Sequence, residues 1–212
     1  MLKPDIEKKI ITTGVMAIVR TDSVGRAFEI AEGCLEGGVD VLEISYTLPN
    51  AGEVIQALRD QFGDRLLVGA GTVLDGITAR LAILAGAQFI IAPNLSAEVA
   101  TVCNRYRIPY APGCTTVSEM VQAMELGASF AKAFPISNFY GPSLVRIIKT
   151  PLPYMPILAS GGATLENLEE WIKTGVDSIG IGGLLTQGTK ADIAANAGKI
   201  TGIIRQARSQ MG

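Results

Sequence analysis

Short apolar runs alternate with longer amphipathic segments from one end of this 212-residue chain to the other. A short, bounded apolar run is typical of a buried strand, and apolar residues recurring at every third or fourth position indicate a helix. Strands are predicted at Val15–Val19, Val39–Ile44, Leu66–Ala70, Gln88–Ala92, Pro109–Ala111, Ser129–Ala133, Met155–Ala159 and Ser178–Ile181. Helices are predicted at Pro4–Thr12, Ser23–Glu36, Ala51–Gln61, Ile77–Ala85, Ala97–Arg107, Val117–Leu126, Pro142–Lys149, Leu165–Thr174 and Ala191–Ser209.

The regular alternation of strand and helix favours right-handed βαβ units. Such a series predicts a fold of the α/β class, a (βα)8 TIM barrel with an extra N-terminal helix. We expect residues 1–212 to form a single barrel domain. An open doubly wound sheet is the alternative, but the number of regular units in this length favours closure.

A repeated glycine aligns the predicted strands with one another. The glycines that precede the second, fourth, sixth and eighth strands are Gly38, Gly86, Gly127 and Gly175. Glycine is favoured there because the residue after a helix often turns to positive φ. The fifth residue after the first of these glycines is Glu43, and the fifth after the third is Lys132. These two residues therefore hold equivalent positions on opposite strands, and we expect them to face each other across the barrel mouth.

Lys132 lies in the middle of the apolar run Ser129–Pro135. Burying an unpaired ammonium costs on the order of several kcal/mol, so such a lysine is either paired or shifted toward the neutral amine. A neutral lysine can form a Schiff base with a carbonyl substrate, and Glu43 can then move the protons that this reaction requires. The alternatives are a structural ion pair, in which Glu43 is a fixed counter-ion, or a strand end whose lysine reaches water.

Composition and charge argue against several other functions. The net charge is −2, and the 18 basic residues form no block, which argues against nucleic-acid and anionic-membrane partners. Residues 1–9 resemble no signal peptide, and no apolar stretch reaches the roughly 18 residues of a membrane helix. Cys34, Cys103 and Cys114 lack metal-ligand spacing and indicate small core residues in a reducing, cytoplasmic location. Because the chain has no histidine, a His-ligated metal is excluded and acid–base chemistry must use carboxylates, lysine, tyrosine or water.

Glycine turns and one arginine are candidate contacts for an anionic substrate. Ser160-Gly161-Gly162 follows the seventh strand and Gly182-Gly183 follows the eighth, where barrels frequently bind phosphate. Thr72 ends a similar turn after the third strand and is placed to hold a carboxylate. Arg20 ends the first strand and suits a carboxylate or phosphate, although a solvent-facing surface arginine fits the sequence equally well.

Several of these motifs resemble the KDPG/KHG aldolase family, in order and over nearly the whole chain. They are Val41–Ile44, Val68–Val73, Pro112-Gly113, Lys132–Pro135, Ser160–Gly162 and Gly182-Gly183. The resemblance implies a homotrimeric (βα)8 barrel that acts as a class I aldolase, a carbon–carbon lyase without metal or cofactor. Such enzymes cleave 2-dehydro-3-deoxy-6-phosphogluconate to pyruvate and glyceraldehyde 3-phosphate, in Entner-Doudoroff carbohydrate metabolism, or 4-hydroxy-2-oxoglutarate to pyruvate and glyoxylate.

The resemblance also implies roles for individual residues. Lys132 matches the Schiff-base lysine and Glu43 the proton-shuttling glutamate. Thr72 and Pro93 match residues on the pyruvate side, and Phe134 matches a flanking position. The stretch beside pyruvate and phosphate is matched by Ser160, Gly161 and Gly162, and backbone amides for phosphate are matched by Gly182 and Gly183.

Two positions depart from the family pattern. Thr47 stands where many members carry an arginine that helps to bind anionic groups, so Arg20 is the cation expected to supply that charge. Leu184 stands where many members have a serine whose hydroxyl contacts phosphate. These departures leave the pyruvate half of the interpretation intact and leave the aldehyde half open.

Three alternatives remain at the level of sequence. A 6-phosphogalactonate-type substrate differs from the gluconate type at one stereocentre only. A sugar-phosphate isomerase or epimerase would keep the glycine turns but leave Lys132 without a covalent task. A non-catalytic barrel that binds a sugar phosphate is the third.

Overall fold

Strands and helices alternate along residues 1–211, which the computed structural model of the chain describes. The strands are β1 (Val15–Val19), β2 (Val41–Ser45), β3 (Leu67–Gly71), β4 (Ile90–Ile91), β5 (Tyr110–Ala111), β6 (Gly113–Cys114), β7 (Ala131–Ala133), β8 (Ile157–Ser160) and β9 (Ser178–Ile181). The helices are α1 (Lys3–Thr13), α2 (Val24–Glu36), α3 (Ala51–Phe62), α4 (Gly76–Leu84), α5 (Ala97–Tyr106), α6 (Val117–Glu125), α7 (Ser137–Tyr140), α8 (Ser143–Lys149), α9 (Leu168–Lys173), α10 (Gly183–Thr186) and α11 (Lys190–Ser209). A 3₁₀ turn at Gly63–Arg65 follows α3.

The strands form one parallel sheet in the order β5-β4-β3-β2-β1-β9-β8-β7-β6. β5 and β6 are two halves of one barrel strand, because only Pro112 separates them and proline has no N–H to continue the ladder. β5 pairs with β4 while β6 pairs with β7, so this strand links the two ends of the sheet. The nearly closed barrel with its extra N-terminal helix confirms the predicted fold, and the open-sheet alternative is wrong.

Alternate residues of each strand face different cores, as the pleat of a strand requires. One set points into the barrel and packs with Ile6 and Ile10 of α1. The strand residues of this inner cluster are Met16, Val41, Leu67, Phe89, Ile91, Ala111, Phe130 and Leu158. Since several of them lie at or near the starts of their strands, α1 closes the N-terminal end of the barrel. The opposite, C-terminal end is left for the site.

The repeated glycines have the backbone conformation that the sequence predicts. Each lies between a helix and the following strand, with φ of 87° at Gly38, 99° at Gly86, 80° at Gly127 and 86° at Gly175. An L-residue with a side chain rarely adopts such angles. The alignment of alternate strands that rests on these glycines is therefore sound.

The segment before α9 differs from the prediction of a helix beginning at Leu165. Asn167 accepts a hydrogen bond from the Thr164 N–H at 2.8 Å and donates one to the Gly162 carbonyl at 2.9 Å. Asparagine often stabilises a turn in this way at the expense of a helix. The helix consequently begins at Leu168.

α6 begins at Val117, as the sequence predicts. Thr116 is its N-cap, and the Thr116 hydroxyl accepts from the Glu119 N–H at 3.2 Å. The short helices α7 and α10 were not predicted at all. Within residues 1–211, no helix combines the length and the apolar character required to cross a membrane.

Candidate active site

Lys132 and Glu43 lie on opposite sides of the barrel, as the glycine repeat predicts. Lys132 is the central residue of β7 and pairs with Gly113 and Leu158. Glu43 is the central residue of β2 and pairs with Ile18. The strands β1, β9 and β8 separate β2 from β7 in one direction, and β3, β4 and the β5–β6 strand do so in the other.

Both charged groups are buried, and each influences the other electrostatically. The exposed fraction is 2% for Glu43 and 6% for Lys132. Burial is the largest influence on both groups, and it raises the pKa of Glu43 and lowers the pKa of Lys132. Their mutual attraction opposes both shifts, while Arg20 lowers the pKa of each. The net directions follow burial, so both groups are displaced toward their neutral forms.

No contact ion pair ties the two groups together. Among the salt bridges of residues 1–211, defined by an N···O distance within 4.0 Å, none joins Lys132 to Glu43. The ring of Phe134 lies beside the lysine instead, with its centroid 5.0 Å from Nζ. This geometry allows a cation–π interaction with the protonated form. The structural ion pair that the sequence left open is therefore not formed.

A glycine on the neighbouring strand makes room for Glu43. A Cβ atom placed on Gly71 would collide with Oε1 of Glu43. The carboxylate therefore lies directly over the backbone of β3, in the space that a side chain would fill. Gly71 is thus part of the site through the volume that it leaves free.

Three hydroxyl groups form a chain above Glu43. Ser45 lies two residues after Glu43 on β2, so its side chain points to the same side of the sheet. Its Oγ is 3.1 Å from Thr72 Oγ1 and 3.2 Å from Thr47 Oγ1. Thr72 has a φ of 58°, an unusual conformation for a β-branched residue. The structure thus brings Thr47 and Thr72 together through a residue that the sequence analysis did not single out.

Arg20 lines a depression at the C-terminal ends of β1 and β9. Although its side chain is exposed, its charge affects both Glu43 and Lys132. The depression is lined in addition by Ile18, Thr21, Arg26, Ile30, Gly182, Gly183, Thr186 and Gln187. Two arginines and a glycine turn make this depression suitable for an anionic group.

Arg26 also fixes the wall of this depression. Its Nη2 donates to the carbonyl of Thr186 at 2.9 Å and to that of Gly188 at 2.7 Å. Its Nη1 donates to Glu29 on the same helix at 2.8 Å. Arg26 therefore attaches α2 to the segment that follows Gly182 and Gly183.

The turn after β8 is held against the helix that follows β7. Ser137 donates a hydrogen bond to the Ser160 carbonyl at 2.6 Å, and both residues are buried. Gly161 and Gly162 follow with φ of 94° and 80°, which only glycine adopts easily. This hydrogen bond holds the turn after β8 against α7, the helix that follows the strand carrying Lys132.

Pro93 follows β4 on the same rim of the barrel, and its carbonyl group lies so close to Gly113 that a Cβ atom there would collide with it. All the predicted site residues thus lie on or just after the strands, at the C-terminal end of the barrel. Within residues 1–211, no group of three or more Asp, Glu, Cys or His side chains is arranged to hold a metal ion.

Four residues of the site were missed by the sequence analysis. Ser45 had a usable signal, because strand alternation places it on the same side as Glu43. Gly71 belonged to a recognised turn, but its role as space for a carboxylate appears only in three dimensions. Arg26 and Ser137 gave no local signal, since their partners lie far away along the chain.

Known proteins share both this sequence and this fold. The family model described as KDPG and KHG aldolase matches residues 6–201. The chain is 36% identical over 169 residues to the 2-dehydro-3-deoxy-6-phosphogalactonate aldolase of Escherichia coli (strain K12). That alignment covers 79% of this chain and 82% of the relative.

Solved structures agree with that match. A native KDPGal structure superposes with a TM-score of 0.86 at 32% identity, covering 92% of this chain and 96% of its own. The KDPG aldolase from Legionella pneumophila, with pyruvate captured as a covalent carbinolamine intermediate, superposes with a TM-score of 0.80 at 26% identity. It covers 95% of this chain and 97% of its own. The chain therefore belongs to the KDPG and KHG aldolase family, whose named members are aldolases and hence carbon–carbon lyases.

Proposed function

We propose that the chain is a class I aldolase in which Lys132 forms a Schiff base with a phosphorylated 2-dehydro-3-deoxy sugar acid. The products are pyruvate and glyceraldehyde 3-phosphate. The observation that carries this proposal is a buried lysine in the barrel mouth, opposite a buried glutamate and joined to it by no salt bridge. Burial lowers the pKa of Lys132 and so favours the neutral amine that attacks a carbonyl.

The reaction begins with attack of the neutral Lys132 amine on the C2 carbonyl of the substrate. The resulting carbinolamine loses water and becomes an iminium. Glu43 accepts the proton of the C4 hydroxyl, directly or through water, and the C3–C4 bond breaks as its electrons move into the iminium. The aldehyde leaves, the enamine carbon is protonated, and hydrolysis releases pyruvate and the free amine.

The position of Glu43 supports its role as the proton carrier. Burial raises the pKa of Glu43, and a carboxyl whose pKa is raised holds a proton more readily and can later release it, as a proton carrier must. The chain has no histidine to perform this task instead. A fixed counter-ion would be expected to contact the ammonium, and no such contact is formed.

The pyruvate half of the substrate is assigned to the side of the mouth around Thr72. Its hydroxyl suits the substrate carboxylate, and Pro93 lines the same rim. Phe134 forms an apolar surface beside the reacting nitrogen, 5.0 Å from its ring centroid. Ser160, at the end of β8, is buried and leads into the turn that would border both halves of the substrate.

The phosphate is assigned to the depression beside Arg20. Gly182 and Gly183 line it and could offer backbone N–H groups, and Arg20 and Arg26 contribute positive charge. Glyoxylate, the aldehyde product of 4-hydroxy-2-oxoglutarate, has no phosphate to occupy this space. We therefore place phosphorylated sugar acids ahead of 4-hydroxy-2-oxoglutarate as substrates.

A product assay tests the proposal and resolves the stereochemistry. Purified protein is supplied separately with the 6-phosphogluconate-type acid, the 6-phosphogalactonate-type acid and 4-hydroxy-2-oxoglutarate, and pyruvate release is measured. We expect release from at least one phosphorylated acid with a higher kcat/KM than from 4-hydroxy-2-oxoglutarate. Release only from the unphosphorylated acid would contradict the phosphate assignment. Release from none, by folded protein, would favour an isomerase or a binding barrel.

We also propose that the chain assembles into a homotrimer. The outer side of α4 and the loop before it expose an apolar stripe formed by Leu74, Ile77, Leu81 and Leu84, with exposed fractions from 55% to 77%. A contiguous apolar surface of this kind is typical of an interaction site. A second copy of the chain is the partner that the family resemblance implies.

A further inference from the structure

We propose that Ser45 is a positioning residue that orients the Thr72 hydroxyl toward the carboxylate of the bound 2-oxo acid. In this arrangement the Thr47 hydroxyl donates a hydrogen bond to Ser45, and Ser45 donates one to Thr72. This inference rests on the proposed function, because Thr72 meets a carboxylate only if a 2-oxo acid binds there. Ser45 itself does not need to touch the substrate.

The surroundings of Ser45 leave its hydroxyl few partners. The residue is 1% exposed, so an unpaired hydroxyl at this position would be costly. Thr72 Oγ1 lies 3.1 Å away on one side, and Thr47 Oγ1 lies 3.2 Å away on the other. Both distances are within hydrogen-bond range for two hydroxyl groups. Ser45 therefore connects the exposed Thr47 with the inner Thr72.

Each hydroxyl donates one hydrogen bond and accepts up to two, so the chain has two polarities when Ser45 donates its own proton to one of the two threonines. If Ser45 donates to Thr47, then Thr72 donates to Ser45 and has no proton left for a substrate. If Thr47 donates to Ser45 and Ser45 donates to Thr72, the proton of Thr72 is free to point elsewhere. A carboxylate has only acceptor oxygens, so its binding selects the second polarity.

The backbone around Thr72 is already fixed, which leaves the hydroxyl direction as the remaining variable. The Val73 N–H donates to the Ile91 carbonyl at 3.2 Å, and the Tyr46 N–H donates to the Gly71 carbonyl at 2.8 Å. Between these contacts, Thr72 adopts a φ of 58°. Unusual backbone angles of this kind persist only where the surroundings impose them, and they cluster at functional sites.

The strength of the contact between Thr72 and the substrate carboxylate therefore depends on the orientation of the Thr72 hydroxyl. Without Ser45, Thr72 keeps its backbone and its hydroxyl but rotates more freely. Substrate binding then weakens, whereas the reacting groups Lys132 and Glu43 keep their positions. The expected signature is a change in KM with little change in kcat.

The test measures the half-saturating pyruvate concentration for borohydride trapping, together with KM and kcat for cleavage of the phosphorylated substrate. We expect Ser45→Ala to raise both concentrations about fivefold, the effect of losing one hydrogen bond, and to change kcat less than about twofold. Ser45→Thr, which keeps the hydroxyl, restores most of the affinity. Thr47→Val removes only the outer hydroxyl at an exposed position, so it keeps the fold intact. It is expected to raise the half-saturating pyruvate concentration and KM by a similar factor.

The double variant Ser45→Ala, Thr47→Val distinguishes a chain from two separate contacts. If the hydroxyls act in series, the half-saturating pyruvate concentration and KM of the double variant are no higher than those of Ser45→Ala alone. Additive losses, or unchanged half-saturation in Ser45→Ala and Thr47→Val, would overturn the inference while wild-type trapping still supports the proposed function. Absence of trapping in the wild type would instead contradict the proposed function itself.

Discussion

Burial and two charged neighbours together determine the pKa of Lys132. Burial lowers the pKa of its amine, Glu43 raises it, and the positive charge of Arg20 lowers it further. Because burial is the largest influence, the amine is more often neutral than that of an exposed lysine, whose pKa is about 10.5. Besides the anion binding that we propose for it, Arg20 therefore favours the neutral, nucleophilic form of Lys132 electrostatically.

This view predicts the pH dependence of Schiff-base formation. The neutral amine is the reactive form, so the rate of cyanoborohydride trapping with pyruvate rises as pH increases through the lowered pKa of Lys132. In Arg20→Gln the repulsion of the ammonium is lost and the pKa of Lys132 rises, so the increase in rate moves to higher pH. Arg205→Gln, an exposed arginine on α11, is the matched control and leaves the profile in place. A shift to lower pH in Arg20→Gln would contradict this account.

The space over Gly71 gives a second prediction at this scale. Gly71→Ala places a methyl group against Oε1 of Glu43 and displaces the carboxylate. A displacement of about 1 Å can cost roughly a hundredfold in rate, so kcat for substrate cleavage is expected to fall by about that factor.

The matched control for this change is Gly202→Ala. A Cβ on Gly202 meets nothing within 4 Å, and the residue lies inside α11. Alanine is about 1 kcal/mol more favourable than glycine in a helix, so this variant should be slightly more stable and fully active. Normal cleavage by Gly71→Ala would show that Glu43 has room to move without loss of function.

At the scale of elements, one side chain of α2 holds the wall of the depression that we propose binds phosphate. Arg26 reaches the Thr186 and Gly188 carbonyls, which lie beyond Gly183 on the segment that follows β9. The guanidinium fork suits two acceptors at once, whereas a lysine would offer a single ammonium. This contact determines the geometry of the proposed phosphate pocket.

Arg26→Ala is expected to raise KM for the phosphorylated substrate about tenfold, which corresponds to roughly 1.4 kcal/mol. The half-saturating pyruvate concentration for trapping should stay unchanged, because pyruvate has no phosphate. Glu29→Gln removes the negative charge that pairs with Arg26 on an exposed helix surface, and it serves as the control with near-normal kinetics. An equal rise in the half-saturating pyruvate concentration and in KM for the phosphorylated substrate would indicate a general loss of structure instead.

The same elements show how far the sequence predicts the site. Glu43 and Lys132 could be placed on opposite strands because a local feature, a glycine with positive φ after a helix, recurs before alternate strands. Ser45 was missed although strand alternation places it beside Glu43. Arg26 could not have been found, since its contacts depend on closure of the barrel and join segments 160 and 162 residues apart. Local sequence patterns thus predict which strand residues lie at the same level of the barrel. Contacts between loops depend on barrel closure and cannot be predicted in this way.

At the scale of the whole molecule, the two ends of the barrel have different roles. The N-terminal end is filled by the apolar inner cluster and closed by α1, which keeps the interior dry beneath Lys132 and Glu43. The C-terminal end carries the polar side chains and the glycine turns. The apolar stripe on α4 is a separate feature of the outer surface.

We expect that stripe to be covered by another copy of the chain. Leu81→Glu places a charge in its centre, at a residue that is 56% exposed in the single chain. Sedimentation should show a trimer for the wild type and smaller species for the variant, because burying an unpaired carboxylate in an apolar interface is unfavourable. Lys199→Glu, an exposed change on α11, is the control. A wild-type monomer at micromolar concentration would contradict the homotrimer.

The most direct test of the central claim is peptide mass spectrometry after borohydride reduction in the presence of pyruvate. The account predicts one covalent adduct per chain, on the peptide that contains Lys132, and none in Lys132→Ala. An adduct on a different lysine, or no adduct in folded protein with pyruvate or any other 2-oxo acid, would contradict it.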